Sequence, residues 1–118
     1  MLRPLALTLA LALPAAAADP AFTRTEDVIY ARKFGTALTL DVFAPPKPNG
    51  LGVVFCVSGG WFSSHEAIKP ERFAELLGRG YTVFAVVHGS NPRYTLPEIV
   101  DDMHRAVRFV RANADKYK

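Results

Sequence analysis

Cysteine is nearly absent from this sequence. Cys56 is the only one, so no internal disulfide can form and a disulfide-stapled scaffold is excluded. It sits in an apolar run, where a small buried core residue is expected. Histidine is sparse too: His65, His88 and His104 are too dispersed to suggest a metal site by ligand spacing. Neither a metal nor a cofactor is expected. Charge of one sign never gathers into a block. Lys and Arg number 14 against 11 Asp and Glu, and leaving out Arg3 makes it 13 against 11. The basic residues are scattered without aromatic interleaving, which argues against a nucleic-acid partner.

Long hydrophobic runs are missing as well. The longest, Leu5 to Leu13, is about half of the ~20 residues that cross a bilayer, so no permanent membrane anchor is expected. Arg3 ahead of this run, Pro14 after it and the small residues Ala15 to Ala18 form the three-part layout of a secretory signal. A buried amino-terminal helix is the weaker reading, because the run has no polar face. Residues 1–18 are therefore read as a signal peptide, with a secreted or periplasmic mature chain beginning near Asp19.

What remains has no repeats and no low-complexity segment. The 118 residues suffice for one compact domain, and 50% hydrophobic with 21% charged residues is an ordinary globular balance. Residues 26–34 and 36–43 read as strands joined at Gly35, an antiparallel hairpin. In the second, Leu38, Leu40 and Val42 alternate with Thr39, Asp41 and Phe43. Pro45, Pro46, Pro48 and Asn49-Gly50 then make a loop. Residues 51–57 (LGVVFCV) form a continuous apolar run, the pattern of a strand covered on both faces. Pro70 opens a helix carrying Phe73, Leu76 and Leu77, closed by Gly78 and Gly80. Residues 81–87 are a second buried strand.

The last helix is the clearest element. Pro97 suits its start, and Ile99, Met103, Ala106 and Val110 repeat at helical spacing. Glu98, Asp101, Asp102, Arg105, Arg108 and Arg111 are placed on its other faces, with Asp101 and Arg105 a favourable i, i+4 pair. The fold class is α/β: an antiparallel hairpin followed by β-α-β-α, giving a mixed sheet with a parallel crossover. No strand follows the last helix, so the fold is expected to be incomplete.

Chemistry concentrates in residues 53–62, VVFCVSGGWF. A buried strand ends in two glycines and a tryptophan, and the carboxyl ends of strands in α/β sheets open onto the ligand crevice. Glycines there leave backbone N–H groups accessible. Such donors can stabilise an oxyanion by about 3–4 kcal/mol each in acyl transfer. This stretch resembles the oxyanion-hole turn of α/β-hydrolase esterases and lipases, usually HGGG followed by an aromatic. The hairpin, the Pro-rich loop and HGSNPRYTLPEIVDDMHRAVRFVR (residues 88–111) extend the resemblance to carboxylesterases of the hormone-sensitive-lipase and prolyl-oligopeptidase groups.

The resemblance implies a partial α/β-hydrolase domain over residues 19–118. Gly59 and Gly60 match the second and third glycines, whose N–H groups would face the oxyanion. Trp61 matches the pocket aromatic, with Ser58 and His88 as further pocket residues. Val57 stands in place of the family His and Ser58 in place of the first glycine. The nucleophile of such enzymes lies in a G-x-S-x-G elbow, which this sequence does not contain, so none of the triad is expected within it. The implied activity is hydrolysis of small acyl esters, acetylated carbohydrates among them.

Other readings stay open. A prolyl-oligopeptidase-type peptidase shares the fold, a non-catalytic binding module would explain Val57 and Ser58, and SGGW can be a plain tight turn. An internal triad drawn from Ser58, Ser63, Ser64 or Ser90 with a histidine and Asp101 or Asp102 is supported by residue type alone. Ser63 and Ser64 read as surface polar residues and His104 as an exposed helical one. His88 ends a buried strand, where it either lines a pocket or caps the strand.

Overall fold

The hairpin forms first in the chain, and its turn explains its register. In the computed structural model, which describes residues 22–118, strand β1 (Thr23–Lys33) pairs antiparallel with β2 (Thr36–Ala44). Phe34 and Gly35 link them with φ of 49° and 71°, the positive values that match a two-residue turn to the twist of its strands. The expected signal segment, residues 1–18, lies outside the described residues.

Beyond the Pro-rich loop come β3 (Gly52–Val57), two 3₁₀ turns (His65–Ala67 and Pro70–Phe73), α1 (Ala74–Gly78) and β4 (Thr82–Val87). Helix α2 (Leu96–Ala112) and a last helical turn, α3 (Ala114–Tyr117), complete them. The strand order is β1-β2-β4-β3, with β4 antiparallel to β2 and parallel to β3. The expected mixed sheet is therefore present, and β3–α1–β4 is its parallel crossover. Among the described residues no helix is long and apolar enough to cross a membrane.

Each face of the sheet has its own core. Leu38, Leu40, Val42, Phe84 and Val86 pack with Ala106 and the half-buried Met103 of α2. Phe43, Val83, Ala85 and Val57 pack with Ile68, Phe73 and Leu77 on the opposite side. Phe43, Phe73 and Phe84 are among the largest fully buried side chains, each contributing about 2–3 kcal/mol of hydrophobic stabilisation. Helix α2 begins with a reciprocal cap: the Thr95 N–H donates to Glu98 Oε2 at 2.7 Å, and Pro follows in the first turn.

Asp41 and Phe43 alternate with Leu40 and Val42 across β2 as the sequence pattern indicates, and both are 0% exposed. The strand lies between β1 and β4, and residues 65–77 cover the face those side chains occupy. The run 51–57 was expected to be covered on both faces, but among the described residues its strand β3 lies at the edge of the sheet and only Val57 in it is fully buried. Cys56, expected in the core, is accordingly exposed. Asp102, placed on a solvated face of α2, is 0% exposed.

Candidate active site

Strand β3 delivers the SGGW segment at its carboxyl end. There Gly59 and Phe62 exchange two backbone hydrogen bonds, Gly59 N–H to Phe62 O at 2.9 Å and Phe62 N–H to Gly59 O at 3.0 Å. The two residues between them, Gly60 and Trp61, have φ of 58° and 65°. Such values are free for glycine and uncommon for tryptophan. The segment is a miniature hairpin whose tip holds a non-glycine residue in a strained conformation.

Of the two glycine N–H groups read as oxyanion donors, that of Gly59 already serves Phe62. The Gly60 N–H has no acceptor among the described residues. A Cβ built on either glycine would meet nothing within 4 Å, so the backbone lies bare with room for a ligand. Trp61 is 47% exposed.

Two clefts flank this turn. One, of about 390 Å³, is lined by Val57, Ser58, Gly59, Phe62 and Ser64 among others. The second, of about 310 Å³, is lined by Thr39, His65, His88, Ser90 and Tyr94 among others. Ser63 and Ser64 border both. Ser58 and His88, expected to share one pocket, thus line separate clefts, and Trp61 lines neither.

His88 is 3% exposed. Its Nδ1 lies 2.6 Å from the Gly89 carbonyl, which can only accept, so the neutral ring carries its proton on Nδ1. Nε2 is buried with no partner. Beneath it, the Gly89 N–H donates to Asp102 Oδ2 at 3.3 Å, and Lys33 Nζ lies 3.2 Å from Asp102 Oδ1. Tyr30 donates its hydroxyl to Val87 O at 3.0 Å. Burial, with the Asp102 charge second, raises that phenol well above its ordinary range.

Ser63 is not the surface residue expected. Its hydroxyl donates to Val57 O and accepts from the His88 N–H at 3.2 Å. Ser63 and Ser90 also bond reciprocally: the Ser63 N–H donates to Ser90 Oγ at 3.0 Å, and that hydroxyl donates to Ser63 O at 3.1 Å. Sequence reading missed this pair because nothing in either residue's neighbourhood identifies a partner 27 positions away.

His65 joins a grouping that spacing concealed. Its Nε2 lies 2.8 Å from Thr39 Oγ1 and 3.5 Å from Asp27 Oδ1, while Nδ1 lies 3.6 Å from Asp41 Oδ1. Asp27 has a φ of 56° beside an irregularity in β1 that turns it out of register. These donor types suit a cation, but the Arg24 guanidinium already balances Asp41 at 2.6 Å. The arrangement is a polar clasp that pins the first 3₁₀ turn to the hairpin. His104 is exposed on α2, away from these groups.

The mixed sheet is part of an α/β-hydrolase scaffold of the kind found in esterases. The chain belongs to the BD-FAE family, which matches residues 40–118. Solved structures with the same fold include esterase B of Lactobacillus rhamnosis, with a TM-score of 0.68 and 18% identity over 82% of this chain and 32% of that one. A truncated carbohydrate esterase from gut microbiota gives 0.69 and 25% over 85% and 37%. A bifunctional GH43-CE protein of Bacteroides eggerthii gives 0.66 and 32% over 80% and 14%. No protein of curated function matches. The chain spans about a third of the length of the esterase structures it matches.

Proposed function

We propose that this chain is the amino-terminal part of an exported serine carboxylic-ester hydrolase acting on small acyl esters, with acetylated carbohydrates as the favoured class. The observation that carries the reading is the Gly60 N–H, held without an acceptor on a glycine turn at the carboxyl end of β3. Membership of an esterase-like family and esterase neighbours support it. The carbohydrate class is favoured by the carbohydrate esterase among those neighbours.

In this reading the scissile carbonyl sits against the turn. As the nucleophile adds, negative charge develops on the carbonyl oxygen and Gly60 donates to it. A preorganised donor strengthens that bond in the transition state more than in the ground state. Gly59 acts differently from its expected role: its bond to Phe62 fixes the turn, and its missing side chain leaves space for the acyl group. Ser58 borders the cleft on the β3 side, and Trp61 stands exposed at the tip of the turn. The serine, histidine and acid of the triad are supplied from outside residues 22–118. His88 is not the base, because its Nε2 is enclosed and its Nδ1 is committed to Gly89 O.

Hydrolysis of p-nitrophenyl acetate by the purified full-length protein, followed by trapping with a reactive phosphonate, tests this. The expected result is turnover and a single phosphonyl adduct on a serine outside residues 22–118. Absence of turnover, or an adduct on Ser58, Ser63, Ser64 or Ser90, contradicts it. Amino-terminal sequencing of the exported protein tests the signal peptide, with Asp19 as the expected first residue.

A further inference from the structure

We propose that Ser63 and Ser90 are positioning residues, a two-serine clasp that holds the Gly60 N–H in place for the ester carbonyl. The activity part of this inference rests on the hydrolase reading; the structural part stands without it.

The parallel ladder between β3 and β4 ends at the pair Val57 and Val87. Beyond it the two chains separate, leaving the Val57 carbonyl and the His88 N–H facing outward from the last rung. The Ser63 hydroxyl fills that gap, donating to Val57 O while accepting from His88 N–H. One side chain thereby extends the ladder by a rung and fixes the root of the SGGW turn to the central strand. The reciprocal Ser63–Ser90 bonds fix the base of the turn to the segment after β4. Its tip is fixed as well: the Asn91 N–H donates to Trp61 O at 3.2 Å.

Root, base and tip are all tied to residues 88–91, and those residues are tied below to Asp102 through the Gly89 N–H. The segment 58–62 contributes almost no burial of its own, since residues 58 to 62 are all exposed. Its conformation, with positive φ at both Gly60 and Trp61, is therefore maintained by polar bonds rather than by packing. A turn held this way keeps one N–H bare only while the clasp is closed. Removing the Ser63 hydroxyl orphans Val57 O and His88 N–H together and lets the turn pivot. Displacement of a catalytic group by about 1 Å is enough to cost about 100-fold in rate.

The test uses the full-length protein with Ser63→Ala, Ser90→Ala and the hydroxyl-retaining Ser63→Thr and Ser90→Thr variants. Glu75→Ala, which removes an exposed pair with Arg79, is the control. Amide exchange and chemical shift of Gly60 are followed with isotope-labelled glycine, and kcat and KM with p-nitrophenyl acetate. The alanine variants are expected to shift the Gly60 amide and speed its exchange about tenfold or more. They should lower kcat by about 10- to 100-fold with KM within about twofold, and threonine should restore most of the loss. A Gly60 amide that does not move in either alanine variant overturns the clasp, and an unchanged kcat in an active enzyme overturns its positioning role. Should Ser63→Ala fail to fold, Ser90→Ala carries the test, because it leaves the Val57–Ser63–His88 rung intact. If the Gly60 amide responds but the wild-type protein hydrolyses no ester, the clasp stands and the hydrolase reading falls.

Discussion

Lys33 Nζ lies 3.2 Å from Asp102 Oδ1, joining the end of the opening hairpin to the middle of α2 inside the protein. The carboxylate is fully enclosed and the ammonium nearly so. The other carboxylate oxygen takes the Gly89 N–H, and Lys33 also donates to Glu98 O. One ion pair thus connects three segments that support the candidate site.

Breaking that pair from one side leaves a buried charge without its partner, which costs about 3–5 kcal/mol. Asp102→Ala is expected to destabilise the full-length protein by about that amount. Lys33→Met together with Asp102→Leu should cost much less, since no charge is stranded. Urea unfolding of the single and double variants measures both, and equal losses would show that the enclosure of the pair is unimportant.

Gly89 has no room for a side chain. A Cβ there would lie 2.4 Å from Tyr94 Cγ, and the Tyr94 ring is itself buried against Phe34. Gly89→Ala is therefore expected to cost about 1–3 kcal/mol through forced displacement of the ring. It should also loosen residues 88–91. The midpoint of thermal unfolding and the exchange rate of the Asn91 amide check the two effects, and an unshifted midpoint contradicts the packing argument.

Glu98 gives the start of α2 an acid dependence. Its carboxylate accepts from the Thr95 N–H and hydroxyl, and the backbone bond is the main cause of its lowered pKa. A carboxyl group with a lowered pKa stabilises the fold above its unfolded value, about 4.3, and that contribution disappears as pH falls through the folded value. Glu98→Gln is expected to lower stability near neutral pH, with the difference from wild type shrinking as pH falls below about 4.3. An unchanged profile would falsify the cap's role.

Cys56 is exposed on the edge strand, yet partial shielding holds its thiol above the ordinary pKa. Maleimide labelling of this chain without denaturant is expected to go to completion at Cys56, more slowly than a free cysteine at neutral pH. The rate should climb as pH rises toward the thiol's raised value, because the thiolate is the nucleophile. Labelling that requires denaturant contradicts the edge position of β3.

Much of this architecture is legible in residue order. Pro97 and the Ile99, Met103, Ala106 and Val110 repeat locate α2, Gly35 locates the hairpin, and the glycines of SGGW locate the turn. What escapes is what depends on partners distant in sequence. An apolar run says strand but not edge, so β3 and Cys56 were read as interior; among the described residues the order β1-β2-β4-β3 leaves β3 at the edge. Asp102 was legible in principle, since it lies three residues after Ile99 and four before Ala106, on the apolar stripe itself. Charge pulled it to the wrong face. Within the site, the sequence marks the glycines but not the Ser63–Ser90 clasp, nor that Gly59's N–H is already bonded. Both depend on backbone geometry that composition does not carry.

The central claim is that Gly60 donates to the oxyanion of an ester substrate. The most direct test is the Gly60 amide proton in the full-length protein before and after phosphonylation, which mimics the tetrahedral intermediate. The account predicts a large downfield shift and slowed exchange at Gly60, with Gly59 nearly unmoved because its N–H remains on Phe62. A Gly60 amide that is the same in the free and phosphonylated protein would contradict it.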